Sequence, residues 1–67
     1  MNGKDKGKTM KLKYKNYKLD YDYDSNEEIY SGLIKGHEDY VVCGTTKSEI
    51  ESDFHYIVNN YLENDYN

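Results

Sequence analysis

Residues 12–24 read LKYKNYKLDYDYD, and the alternation of their apolar positions decides the fold. Leu12 and Tyr14 lie on one parity, whereas Tyr17, Leu19, Tyr21 and Tyr23 lie on the other, so the pattern is period two with one change of phase. The change falls at Lys15-Asn16. Asn tolerates the left-handed conformation that a bulge requires, so Asn16 is expected to mark a β-bulge or kink that keeps both apolar sets on one face of a single strand.

The same stretch alternates Asp with Tyr, and three chemistries use carboxylates at such spacing: a calcium loop, a metal-dependent catalytic site and the wet side of a strand. An EF-hand loop with Asp20, Asp22 and Asp24 at its first, third and fifth positions would put Ser25 and Ser31 where Gly and Glu are required, so calcium is excluded. A metal-dependent nuclease site would need these carboxylates to converge with others in a shaped cavity. The wet-face reading is favoured, because Asp20, Asp22 and Asp24 point to one face of a strand while Leu19, Tyr21 and Tyr23 point to the other.

Outward from this stretch, Asp24-Ser25-Asn26-Glu27 is a cluster of turn formers that ends the strand. Ile29-Tyr30-Ser31-Gly32-Leu33-Ile34, closed by Gly36, and Tyr40-Val41-Val42-Cys43, closed by Gly44, read as two more strands of an antiparallel meander. The period then changes. Ile50, Phe54, Ile57, Val58, Tyr61 and Leu62 form one apolar stripe of an amphipathic helix expected from about Lys47 to Glu63. Thr46-Lys47-Ser48-Glu49 fits the capping box, with Glu49 reaching back to the Thr46 amide. Glu49, Glu51 and Asp53 suit the positive end of the helix dipole. The expected fold class is therefore α+β, a three-stranded antiparallel meander packed on one C-terminal amphipathic helix.

Sixty-seven residues allow one domain with a small core, because a chain this short buries only about 60% of its unfolded surface. Nine of the ten aromatics are Tyr, whose hydroxyl can face water, which favours a thin two-layer domain or one that shares its surface with a partner. A single Cys forms no internal disulfide, no apolar run is long enough to cross a membrane, and no signal-peptide pattern opens the chain, so a cytoplasmic location is expected.

Charge is divided unevenly. Residues 1–18 hold seven of the nine Lys and one Asp, while residues 19–67 hold two Lys and twelve acidic residues, so the net charge of −4 is the difference between a +6 arm and a −10 body. Residues 1–9 read as a disordered basic leader or tag, with Met10 an alternative start, and residues 10–67 as one domain. The acidic body suits a basic protein partner, because complementary fields steer association.

Few residues suit chemistry. Cys43 ends an apolar strand and is expected to be a small buried hydrophobe. His37 lies in a polar loop and His55 beside the helix stripe, neither with a ligand cluster. No Cys-His, Ser-His-Asp or glycine-rich phosphate motif is present, so no catalytic, cofactor-binding or metal residues are assigned and the chain reads as non-enzymatic.

The segment MKLKYKNYKLDYDYDSNEEIYSGLIKGHEDYVVCGTTKSEIESDFHYIVNNYLE, residues 10–63, resembles the N-terminal domain of HicB-type antitoxins. The resemblance rests on the opening KYKNY, where the family often has Gly in place of Asn16, and on the acidic strand and turn before IYSGLIKG. It rests also on the Gly44-Thr45-Thr46 step and on the helix SEIESDFHYIVNNYLE. It implies a partial, degenerate ribonuclease H-like fold and a protein-binding inhibitor that covers the active site of a small basic ribonuclease toxin. Family members usually continue into a C-terminal DNA-binding domain, which would begin where this chain reaches Asn67, so operator binding is not expected of it. Two other readings stand beside the antitoxin. One is a phage-encoded inhibitor of a host defence nuclease, of the anti-CRISPR type. The other is a small nucleic-acid-binding protein that uses the N-terminal Lys arm, with Tyr14 and Tyr17 as stacking residues. For a protein partner the candidate contacts are Asp20, Asp22, Asp24, Glu27, Glu28, Glu38 and Asp39. An uncovered edge strand is a further route, to a homodimer.

Overall fold

The structure, a computed structural model, describes residues 9–63. The expected leader, apart from Thr9, lies outside the described residues. Four strands, not three, form one antiparallel sheet: β1 (Met10–Tyr14), β2 (Tyr17–Asp24), β3 (Ile29–Ile34) and β4 (His37–Gly44), in the spatial order β1-β2-β3-β4. The helix α1 (Lys47–Ile57) follows.

The additional strand comes from Lys15-Asn16, which is a two-residue turn and not a bulge. β1 folds back on β2 with Met10 opposite Tyr21, Leu12 opposite Leu19 and Tyr14 opposite Tyr17. In such a hairpin, partners are separated by an odd number of positions, so parity changes while the face does not. A bulge makes the same parity pattern, which is why alternation alone could not separate the two. The left-handed residue is Lys15, with φ 58°, and not Asn16. The third strand runs as expected, while β4 begins earlier, so that His37 is a strand residue and not a loop residue. It does so because the β3–β4 register shifts between Leu33 and Ile34, leaving Ile34 opposite His37.

One face of the sheet carries the core. Leu19, Tyr21, Ile34 and Val42 from the strands meet Ile50, Phe54, Ile57 and Val58 from the helix, and all are buried. Met10, Leu12, Tyr14, Tyr17, Tyr30, Tyr40 and Leu62 pack around them, half-buried. Full burial of an aliphatic or Phe side chain contributes about 1.5–3 kcal/mol, so these eight positions dominate the fold's stability.

Thr46 is the N-cap of α1, its Oγ1 accepting the Glu49 amide at 3.0 Å. Glu49 reaches one residue further back than expected, accepting from the amide (2.9 Å) and the hydroxyl (2.6 Å) of Thr45. Those two bonds, the hydroxyl first, hold its carboxyl below the usual glutamate range. The C-terminal end of the helix widens into a π-helical turn, Val58–Leu62, in which the Glu63 amide donates to the Val58 carbonyl at 2.7 Å. More residues per turn rotate the later side chains off the stripe. Tyr61, expected within the stripe, is consequently 51% exposed. No helix among the described residues is long and apolar enough to cross a membrane.

Candidate functional site: the open face of the sheet

With α1 on one face, the opposite face of the sheet is left uncovered by any described element. Strand register sets what stands on it, because residues opposite each other share a face. The central row runs Lys11, Asp20, Leu33, Val41; one step toward the β1–β2 turn lie Lys13 and Lys18, and one step the other way Asp22, Ser31 and Cys43. Lys35 adjoins the lysine row, its amide donating to the Lys18 carbonyl at 2.8 Å. Beyond Asp22 lies Asp24, opposite Ile29.

The face is thus zoned. Lys13, Lys18 and Lys35 occupy one end, with Glu38 in the same depression as Lys35, Asp22 and Asp24 the other, and Leu33 and Val41 stand between them, 41% and 60% exposed. Within the central row Lys11 pairs with Asp20 at 3.3 Å, both side chains largely in water, so the pair contributes at most about 1 kcal/mol. Among the described residues, no carboxylate lies within ion-pair distance of Lys13, Lys18 or Lys35. The basic arm read from the sequence is therefore partly sheet: Lys11, Lys13 and Lys18 are strand residues and Lys15 is the turn, its ammonium 3.1 Å from Asn59 Oδ1.

The candidate contacts separate into groups. Asp20, Asp22 and Glu38 line one open depression with Ser31, Leu33 and Lys35. Asp24 serves the β2–β3 turn: its Oδ1 accepts the amides of Asn26 (2.9 Å) and Glu27 (3.4 Å), an Asx turn. Glu27 and Glu28 sit in that turn, exposed, with Glu28 at φ 57°. Glu38 lies at the other end of the sheet, where its carboxylate accepts the Gly36 amide at 3.2 Å, and Asp39 is exposed beside it in β4. The seven residues do not form one cluster.

Lys11, Lys13, Lys18 and Lys35 stand against Asp20, Asp22, Asp24 and Glu38 here, so the open side is close to neutral. Four of the body's twelve acidic residues, Glu49, Glu51, Asp53 and Glu63, lie instead at the helix, against Lys47 alone. Sequence reasoning missed Leu33 and Val41 as surface residues. The signal was present: Leu33-Ile34 and Val41-Val42 are adjacent apolar pairs, and neighbours in a strand must point to opposite faces.

The other chemical candidates lie apart. Cys43 is exposed, not buried as expected, because Val42 takes the inward position and the next residue must face out. Its amide donates to Asp53 Oδ2 at 3.3 Å, which closes part of the outer edge of β4. His37 is exposed, 5.5 Å from the Tyr17 ring. His55 stacks on Tyr14 at 3.8 Å and 18°. Tyr14 and Tyr17 belong to the core side, half-buried, with their hydroxyls donating to Asn59 (3.1 Å) and Glu63 (3.2 Å). Among the described residues no group of three or more His, Cys, Asp or Glu is placed to hold a metal ion. No protein-family model, curated protein or solved structure matches the chain.

Proposed function

We propose that this protein is a non-enzymatic, protein-binding inhibitor, a HicB-like antitoxin domain that neutralises a small basic ribonuclease in the cytoplasm by covering its active site. The observation that supports the reading is the uncovered sheet face, where exposed Leu33, with Val41 on its far side, adjoins Asp20 and Asp22. A ribonuclease active site that binds phosphates is cationic, and carboxylates flanking an apolar centre satisfy its charges while excluding water. Asp22, Asp24, Glu27 and Glu28 extend the acidic end toward the β2–β3 turn.

The test is capture of partners from cells of the protein's own host, with the full chain as bait and the bound proteins identified by mass spectrometry. A small basic ribonuclease, lost when Asp20→Lys and Asp22→Lys are introduced together in a chain that still folds, is the expected result. Recovery of a large defence nuclease would replace the antitoxin with an inhibitor of that enzyme, and binding unaffected by the two reversals would remove this face from the mechanism.

A second reading, nucleic-acid binding, is favoured by the convergence of Lys11, Lys13, Lys18 and Lys35 around one depression. It would rest on phosphate contacts and not on Tyr14 or Tyr17, whose rings are engaged on the core side. Its mark would be an affinity that falls steeply with salt.

A further inference from the structure

We infer that the outer edge of β1 takes an extended segment of another protein as an added strand, and that this segment alternates acidic with apolar residues. Lys15-Asn16 is a two-residue turn, so Tyr14 and Tyr17 close it as a hydrogen-bonded pair, and Lys13 and Lys18 form the next, non-bonded pair. The Lys18 carbonyl accordingly faces β3, on whose side it accepts the Lys35 amide at 2.8 Å. The same alternation turns the amides and carbonyls of Lys11 and Lys13 away from β2. β1 ends the strand order with no described element beyond it, so these backbone groups stand on an open edge that a further strand can pair with.

The two sides of that edge state what the segment must carry. Residues paired with Lys11 and Lys13 project onto the open face, where Lys11, Lys13, Lys18 and Lys35 line one depression against Asp20 alone. Lys13 stands directly opposite Lys18, a like-charge pair brought close by its non-bonded position, and a carboxylate set opposite Lys13 relieves it. The intervening residues of the segment project to the helix side, where Met10 and Leu12 are only half-buried at the margin of the core. One parity is therefore acidic and the other apolar.

Other occupants and the other edge fit less well. Each antiparallel register of β1 on a second β1 that uses these groups sets lysine against lysine, whether Lys11 on Lys11, Lys11 on Lys13 or Lys13 on Lys13. A phosphodiester backbone only accepts hydrogen bonds, so it leaves the Lys11 and Lys13 carbonyls unpaired, whereas a peptide's amides donate to them. The outer edge of β4 is interrupted by the register shift near its start and by Asp53, which occupies the Cys43 amide.

The inference is independent of the proposed inhibitor and is tested with a synthetic probe. The capped pentapeptide Val-Glu-Val-Glu-Val is titrated into the full chain, and solvent exchange of each amide is read by NMR. Set antiparallel, its glutamates face Lys13 and Lys11 and its central valine faces Leu12. A dissociation constant on the order of 0.1–1 mM is expected for so short a strand. With peptide at about ten times that value, the Lys11 and Lys13 amides should exchange about tenfold more slowly, while that of Leu12, already bonded to β2, should not change. The block isomer Glu-Glu-Val-Val-Val should bind at least about tenfold more weakly, and Val-Lys-Val-Lys-Val not at all. Lys13→Glu turns the like pair with Lys18 into an opposite one and so keeps the hairpin folded; it should weaken the glutamate peptide about tenfold and restore binding for Val-Lys-Val-Glu-Val. No binding up to about 10 mM overturns the inference. So does binding that leaves the Lys11 and Lys13 amides exchanging as before, equal affinity for the block isomer, or an oligonucleotide that binds these lysines where the peptide does not.

Discussion

Gly32 lies directly opposite Tyr21 across β2 and β3, and a Cβ built on it would stand 2.5 Å from the Tyr21 Cβ and 2.6 Å from the Tyr21 Cα. Both atoms belong to β2, whose spacing from β3 the ladder fixes, so they cannot withdraw without breaking the sheet. The absent side chain lets the buried Tyr21 ring sit between β2 and the helix and reach Tyr30, whose ring centroid is 6.0 Å away. Gly→Ala in a strand ordinarily stabilises, by about 0.5–1 kcal/mol through lost chain entropy. Here the overlap reverses the sign, and Gly32→Ala should destabilise by about 2 kcal/mol or more in urea titration.

The helix stripe divides in two. Phe54→Ala should cost about 3–5 kcal/mol, comparable to the whole stability of so small a domain, and leave the chain largely unfolded by circular dichroism at room temperature. Tyr61→Ala, a residue of the same sequence stripe, should cost only about 1 kcal/mol, because its half-exposed ring keeps no more than ring contacts with Tyr40 (5.9 Å) and Tyr56 (6.1 Å).

The turn between β1 and β2 offers a substitution in the opposite direction. A left-handed non-glycine residue costs about 1–2 kcal/mol, against which Gly loses about 0.5–1 kcal/mol of chain entropy. Lys15→Gly should therefore stabilise slightly, by about 0.5 kcal/mol, even with its bond to Asn59 removed, whereas Asn16→Gly should not. Thermal melts of the two variants side by side distinguish the hairpin from a bulge at Asn16.

The start of α1 carries a pH signature. The Glu49 carboxyl is held below its ordinary value of 4.5 in the folded chain, first by the Thr45 hydroxyl and then by the Thr45 amide. A depressed folded-state value means that the ionised form stabilises the fold above pH 4.5 and that this contribution is lost as pH falls through the folded value. In melts across that range, Glu49→Gln should be less stable than the original at neutral pH, and the difference should shrink on acidification. Thr46→Ala should cost about 1 kcal/mol, lowering the melting temperature by roughly 4–8 °C, with no such convergence from its own hydroxyl.

How much was legible follows from the range over which each signal acts. The capping residues Thr46 and Glu49, the turn formers at residues 24–28 and the apolar stripe from Ile50 to Val58 are local, and the elements they mark are present. The missed strand came from a signal that is local but degenerate. A bulge and a two-residue hairpin both invert parity at Lys15-Asn16, and only the pairing of Leu12 with Leu19 separates them. Cys43 was misplaced because its neighbours are apolar on both sides, and the residue that turns inward is set by whichever register brings Val42 under the helix.

By itself, the sequence determined that the chain is one small α+β unit, that its Tyr-rich strands have one wet and one apolar side, and that a capped helix follows them, since periodicity and capping depend on residues a few positions apart. Tertiary structure decided where the charge stands. Lys11, Lys13 and Lys18 are remote in sequence from Lys35, as Asp20 is from Leu33 and Val41, and only the ordering of the strands assembles them into a face with Lys13, Lys18 and Lys35 at one end, Lys11, Asp20, Leu33 and Val41 across its centre and Asp22 and Asp24 at the other. Charge counted along the chain described a basic arm and an acidic body. Pairing antiparallel strands folded that arm against the body, so the open side of the sheet is nearly balanced, and uncompensated acid stands in the β2–β3 turn at Glu27 and Glu28 and on the helix at Glu49, Glu51 and Asp53.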